Sequence, residues 1–208
     1  ENNIWLGLNN GINCLNAEAP LSIYNEENGK IGTGHASCIF NDNIYLGSNQ
    51  GLFYRPLNSR EEFIFVEGTQ GQVWSLNVFD NKLFCGHAKG TFIVNEDVIQ
   101  LISDVQGAWN IISVENKPEI LLQGNYDGLY VLEKANDNWK LINKIDGFDI
   151  SSKFFEMTNE NTILVSHEYK GVFKIEVNPE ITETTLVTKD TSIQKGLTSS
   201  LIRYNKDV

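Results

Sequence analysis

Two tryptophans, a histidine, an asparagine and a lysine hold matching places in successive stretches of this 208-residue chain: His35, Trp74, Trp109, Asn110 and Lys153. Aromatic faces stack on sugars and other polar rings, while amide, imidazole and ammonium groups orient them. Gathered at one point, these side chains would form a mouth for a small polar ligand such as an oligosaccharide. The competing explanation is that Trp74 and Trp109 only pack neighbouring repeats together. Other chemistries find less support. His87 and His167 sit at neighbouring points of equivalent turns, but in non-adjacent repeats and without local ligand spacing, so they read as surface histidines and no metal is expected. The pairs Glu26-Glu27 and Glu61-Glu62 lie in connections, outside any cleft that would raise a pKa for acid–base work. There is no nucleophile elbow, Ser–His–Asp order or phosphate-binding glycine loop. The chain therefore reads as non-catalytic and without a cofactor.

The elements that would position these residues follow from a cassette of glycine, three variable residues and glycine, flanked by apolar strands. It recurs as Gly7 to Gly11, Gly47 to Gly51, Gly86 to Gly90 and Gly124 to Gly128. A worn fifth copy has His167 in the first place and Gly171 in the second. The second glycines are 40, 39, 38 and 43 residues apart. Glycine at each end suits a chain reversal because it lacks the Cβ penalty. Before each cassette comes an apolar strand and a polar turn, such as Asn41-Asp42-Asn43 or Asp80-Asn81-Lys82. Asn and Asp tolerate the left-handed backbone of such turns. A fourth strand follows each cassette, at 63–66, 98–102, 139–145 and 185–189.

Four antiparallel strands in a period near 40 residues are the blade of an all-β propeller. About five blades are expected in a single domain, 1–208, with repeats near 1–33, 34–70, 71–106, 107–149 and 150–195 and the start of another at 196–208. The strand at 196–205 either closes the first blade or is a cut through a larger propeller. In such a fold the first strand of each blade lines the central channel. Aligning these strands on Phe40, Phe79, Val114, Met157 and Tyr204 puts His35, Trp74, Trp109, Ser152 and Ser199 on one level. Ala36, Ser75, Asn110, Lys153 and Ser200 form the next.

A net charge of −11 repels phosphate backbones and anionic lipid, which argues against nucleic acid or a membrane surface as partner of this segment. No run approaches the length of a membrane span. Glu1-Asn2-Asn3 leads straight into a strand pattern, which reads as an excised piece or a mature form. Cys14, Cys38 and Cys85 lie in different repeats without CxxC spacing and read as small buried hydrophobes.

The cassette with its aromatic lead-in, Asn3-Ile4-Trp5-Leu6-Gly7-Leu8-Asn9-Asn10-Gly11-Ile12, resembles the two-component-regulator propeller repeat. Gly47-Ser48-Asn49-Gln50-Gly51-Leu52-Phe53-Tyr54 and Gly124-Asn125-Tyr126-Asp127-Gly128-Leu129-Tyr130 fit it equally well. The stretch Gly147–Glu156, running on to Ser166-His167-Glu168-Tyr169-Lys170-Gly171, looks most like the branch with LuxR-type output. The resemblance implies a periplasmic sensor propeller of a Bacteroidetes hybrid two-component or triple-tyrosine membrane regulator. It implies neighbouring domains in the parent protein, a homodimer, and membrane attachment only through regions outside this sequence. A protein-interaction platform and, further off, a propeller lyase or glycosidase are the alternatives.

Overall fold

The computed structural model describes residues 3–8, 11–16, 31–59, 61–193 and 200–201. The chain forms two compact units, Glu1–Lys30 and Ile31–Val208. In the first, β1 (Asn3–Leu8) and β2 (Gly11–Asn16) form an antiparallel hairpin in which Gly7 faces Ile12. Tyr204, Ser199 and most of the expected 196–205 strand lie outside the described residues.

The second unit contains four antiparallel sheets of four strands each. They are β3 (Gly34–Phe40) to β6 (Ile64–Phe65), β7 (Val73–Phe79) to β10 (Val98–Ser103), β11 (Asn110–Val114) to β14 (Asn138–Lys144), and β15 (Phe154–Asn159) to β18 (Thr184–Asp190). Each sheet falls within one expected repeat, and the described residues contain no helix. Strands pair in sequence order, so β3, β7, β11 and β15 form one edge of their sheets and lie beside one another.

Core packing explains the apolar runs. The second and third strands of a sheet are covered on both faces, and successive residues enter different cores. In β8 (Lys82–His87), Leu83 and Cys85 join the cluster with Tyr45, Leu52 and Val73, whereas Phe84 joins Ile111, Leu121 and Trp139 in the next. In β12 (Lys117–Asn125), Leu121 faces that second cluster and Leu122 a third, with Phe155, Ile163 and Ile175. Each such side chain, fully buried, contributes about 1.5–3 kcal/mol.

The turn chemistry is visible in the backbone. Asn41 and Asp42 have φ of 47° and 59°, and Asp80 and Asn81 have 50° and 52°. Two consecutive left-handed residues make the hairpin turn whose twist matches the strands. The second cassette glycines behave as expected, with φ of 145°, 147°, 143° and 99° at Gly51, Gly90, Gly128 and Gly171.

The first glycines have a different purpose. Gly47, Gly86 and Gly124 are not left-handed; instead the entry of the next sheet crosses over them. A Cβ on Gly86 would lie 2.6 Å from Ala108 O, and one on Gly124 2.6 Å from Phe155 Cε1. A Cβ on Gly47 would sit 2.9 Å from Val73 Cβ. They are clearance points between sheets rather than turn residues.

Polar residues clip the sheets together. Thr91 Oγ1 donates to Gln123 Oε1 (2.7 Å), Gln123 Nε2 to Asn125 Oδ1 (2.8 Å), and Asn125 Nδ2 to Gln106 O (3.0 Å). All three side chains are buried. Gln123→Leu would strand the Thr91 hydroxyl and Asn125 Oδ1, at a cost of about 1–3 kcal/mol. Urea unfolding should show this, and adding Thr91→Val should recover part of the loss; a midpoint unchanged by Gln123→Leu would show that the clip carries no stability.

Candidate functional site

The inner strands place most of the predicted residues in one row. In β3 the register slips between Gly34 and Ala36, and in β7 between Val73 and Ser75, so His35 and Trp74 occupy β-bulges. A bulge re-aims its side chain and ends regular pairing. The rings of His35 and Trp74 then lie 5.1 Å apart, and those of Trp74 and Trp109 4.4 Å apart, both tilted by 44°. Lys153 Nζ sits 5.0 Å from the Trp109 ring centroid and 5.2 Å from that of Phe154. His35, Trp74, Trp109 and Lys153 thus form a ladder that crosses all four sheets of the second unit.

Asn110 does not join it. Its Oδ1 accepts a hydrogen bond from Asn77 Nδ2 (3.2 Å), which ties β11 to β7 further along the wall.

Lys153 also stands one level from its expected place. Asn110 pairs with Gly124 across its sheet, and Phe154 with Ser166. Ser152 N bonds Asn125 O as Ala108 N bonds His87 O. Lys153 is therefore the equivalent of Trp109, and Ser152 of Ala108. The cause lies at the far end of β15, which runs two residues beyond Met157 to Asn159, with a bulge between them that absorbs only one. His167 pairs with Gly171 around a three-residue loop, where His87 and Gly90 enclose two residues. Ser166, not His167, takes the place of the first glycine.

Tyr126 is the ladder member that sequence reasoning missed. It lies on the hairpin between β12 and β13 (Gly128–Ala135), with its ring 5.0 Å from Trp109 and its hydroxyl accepting from Trp74 Nε1 (3.1 Å). Gly107, at φ 76°, allows this: a Cβ there would overlap the Tyr126 ring. Trp109 Nε1 donates to Ser151 Oγ (3.0 Å). Both indole N–H groups are satisfied within the ladder, and much of the facing ring surface is spent on neighbouring rings.

At the Trp109 end the ladder opens into a pocket of about 90 Å³ lined by Trp109, Ser151, Lys153, Phe154, Ser166, His167 and Glu168. A larger cleft, of about 350 Å³, lies elsewhere, around Phe40, Lys82, Asn95, Gln100 and Trp139. Turn chemistry accounts for much of its polar lining, since Asn41, Asn81 and Asp137 are left-handed turn residues.

The two hairpin histidines are turn caps. His87 Nδ1 accepts from Lys89 N (2.9 Å), and His167 Nδ1 from Tyr169 N (3.1 Å). His87 is no surface residue, however. It is fully buried and its Nε2 lies 3.1 Å from Thr69 O, in the connection from the preceding sheet. Burial pushes its pKa down. Among the described residues no group of His, Cys, Asp and Glu has the arrangement of a metal site. The cysteines differ from one another: Cys14 is exposed and Cys38 half-buried, whereas burial raises the Cys85 thiol to about 12.

Solved structures share this architecture at low sequence identity. The extracellular domain of BT4673 from B. thetaiotaomicron, a candidate hybrid two-component system, superposes with a TM-score of 0.60 at 16% identity, covering 96% of this chain and 28% of that one. A second structure of that domain, given as a one-component system, scores 0.59 at 14% identity over the same shares of the two chains. The WD40 β-propeller domain of Doa1 scores 0.50 at 14% identity over 74% of this chain and 54% of its own. The fold is a β-propeller. This chain spans only about half of the Doa1 domain and under a third of the BT4673 domain. No protein-family model matches the sequence, and no curated protein matches it.

Proposed function

We propose that this chain is a non-catalytic sensor propeller, part of a membrane-bound regulator or signal-transduction protein, that binds a small polar ligand on the extracytoplasmic side. The observation that carries the reading is the ladder of His35, Trp74, Trp109 and Lys153, which ends at a pocket with aromatic walls and polar groups. Such a combination suits a sugar or another small polar molecule. The acidic chain favours neutral ligands, or ligands with a single charge, over polyanions. The likeness to an extracellular domain supports the location and the signalling context. The non-catalytic reading rests on the sequence, in which no acid, base and nucleophile are clustered. A rigid ring signals poorly by refolding, so the output would be a changed contact with a neighbouring domain or with a second copy in a homodimer.

A second reading is a protein-interaction platform. The ladder rings cover one another's faces, which is what inter-blade packing alone would require.

A thermal-shift and calorimetric screen of oligosaccharides against this chain separates the two readings. Ligand binding that is lost in a folded Trp74→Ala, Trp109→Ala variant supports the mouth as the site. Affinity unchanged in that variant moves the site elsewhere, and no binding by any saccharide favours the platform.

A further inference from the structure

We propose that the pocket at the end of the ladder is a carboxylate subsite, so that the ligand carries a small organic acid group, such as that of a uronic sugar. This rests on the ligand-binding reading above and narrows it.

Four groups on its wall donate. Lys153 offers its ammonium, held between the Trp109 and Phe154 rings at 5.0 and 5.2 Å. Lys82, Lys134, Lys144 and Lys174 pair with carboxylates, but Lys153 forms no ion pair among the described residues. Ser151 Oγ already accepts from Trp109 Nε1, which leaves its own hydroxyl proton for another acceptor. His167 Nδ1 accepts from Tyr169 N (3.1 Å) and Lys170 N (3.3 Å), so the neutral ring carries its proton on Nε2 and donates from there. Ser166 lines the pocket, where its hydroxyl has a proton to donate.

Against these four donors the wall sets one carboxylate, the exposed Glu168. A group that only accepts fits the surplus, and a carboxylate accepts at both oxygens with charge-assisted strength from Lys153. The volume of about 90 Å³ suits such a group. Trp109 and Phe154 remain as walls for the ring that bears the acid. Ser166, His167 and Glu168 of the fifth repeat's hairpin line the pocket together with Trp109 of the fourth repeat.

The test is calorimetric titration of this chain with D-glucuronate, D-glucose and benzoate, with thermal melting to show that each variant is folded. Glucuronate should bind at least about tenfold more tightly than glucose, and Lys153→Gln should lose about that factor while Lys153→Arg keeps most of the affinity. Ser166→Ala, which removes a pocket hydroxyl without altering charge, should weaken glucuronate as well. Benzoate binding beside glucuronate would mean that the acid alone is recognised; glucuronate alone would mean that the sugar ring is read too, and both results support the subsite. Glucose binding as tightly as glucuronate, or Lys153→Gln leaving glucuronate unaffected, overturns the carboxylate assignment and leaves the ligand-binding reading standing. No binding of either acid at millimolar concentration also overturns it, and an oligosaccharide that still binds through Trp74 and Trp109 would show that the broader reading survives.

Discussion

Gly124→Val is expected to melt far below the parent chain, with a loss of about 3 kcal/mol or more. A Cβ at Gly124 would run into Ser152 O and lie 2.6 Å from Phe155 Cε1. Neither neighbour can give way. Ser152 N is fixed by its hydrogen bond to Asn125 O (2.9 Å), and Phe155 is buried in the cluster with Leu122, Met157 and Ile163. The clash pushes apart two sheets that share a core, so the damage spreads beyond one turn. Gly51→Val and Gly128→Val put a side chain on backbone at φ of 145° and 143° and also bring its Cβ to 2.8 Å from Thr69 O and 2.5 Å from Phe148 O, and should cost at least about 1–3 kcal/mol each. Gly34→Ala, where an added Cβ meets nothing within 4 Å, serves as the control. Urea unfolding of the four variants gives the order directly. Should Gly124→Val unfold at the parental midpoint, the sheets are not held at the spacing described.

Acidification should destabilise the second unit through His87, and His87→Gln should remove much of that sensitivity. The buried imidazole takes a hydrogen bond at Nδ1 from Lys89 N and donates from Nε2 to Thr69 O, so both nitrogens are committed in the neutral form. Protonation places an unpaired charge between the Lys89 ammonium on its own hairpin, the Thr69 carbonyl and the Phe92 ring. Burial comes first in lowering the pKa, and Lys89 adds to it. Because the folded pKa is depressed, the unfolded chain takes the proton more readily. Stability is therefore fully present above the ordinary histidine value of 6.5 and falls as the pH drops below it, until the folded pKa is passed. Glutamine can accept from Lys89 N and donate to Thr69 O without titrating. Melting temperatures between pH 7.5 and pH 5, about a unit either side of that value, should fall more steeply in the parent than in His87→Gln. Parallel curves would show that other groups set the acid response.

The sheet architecture was legible in the sequence because its causes are local. Residues that reverse a chain, such as Asn41-Asp42 or Gly51, do so by their own backbone preferences, and alternating apolar strands between them have few other ways to pack. All four outer strands follow from that. The convergence of His35, Trp74 and Trp109 was legible for the same reason, since equivalent strands in a repeat fold occupy equivalent places. What depended on a neighbouring sheet was hidden. The first glycines read as turn residues, yet the constraint on Gly47, Gly86 and Gly124 comes from a sheet further along the chain. His87 read as a surface residue because nothing near it in sequence covers it; Thr69 and the preceding sheet do. Lys153 was placed one level off because β15 runs two residues beyond Met157 and a bulge between Met157 and Asn159 absorbs only one of them, which spacing alone does not reveal. Tyr126, Ser151 and Ser166 carried no signal of their own. Their roles are set by side chains that arrive from other strands, and only the packed sheets bring those together.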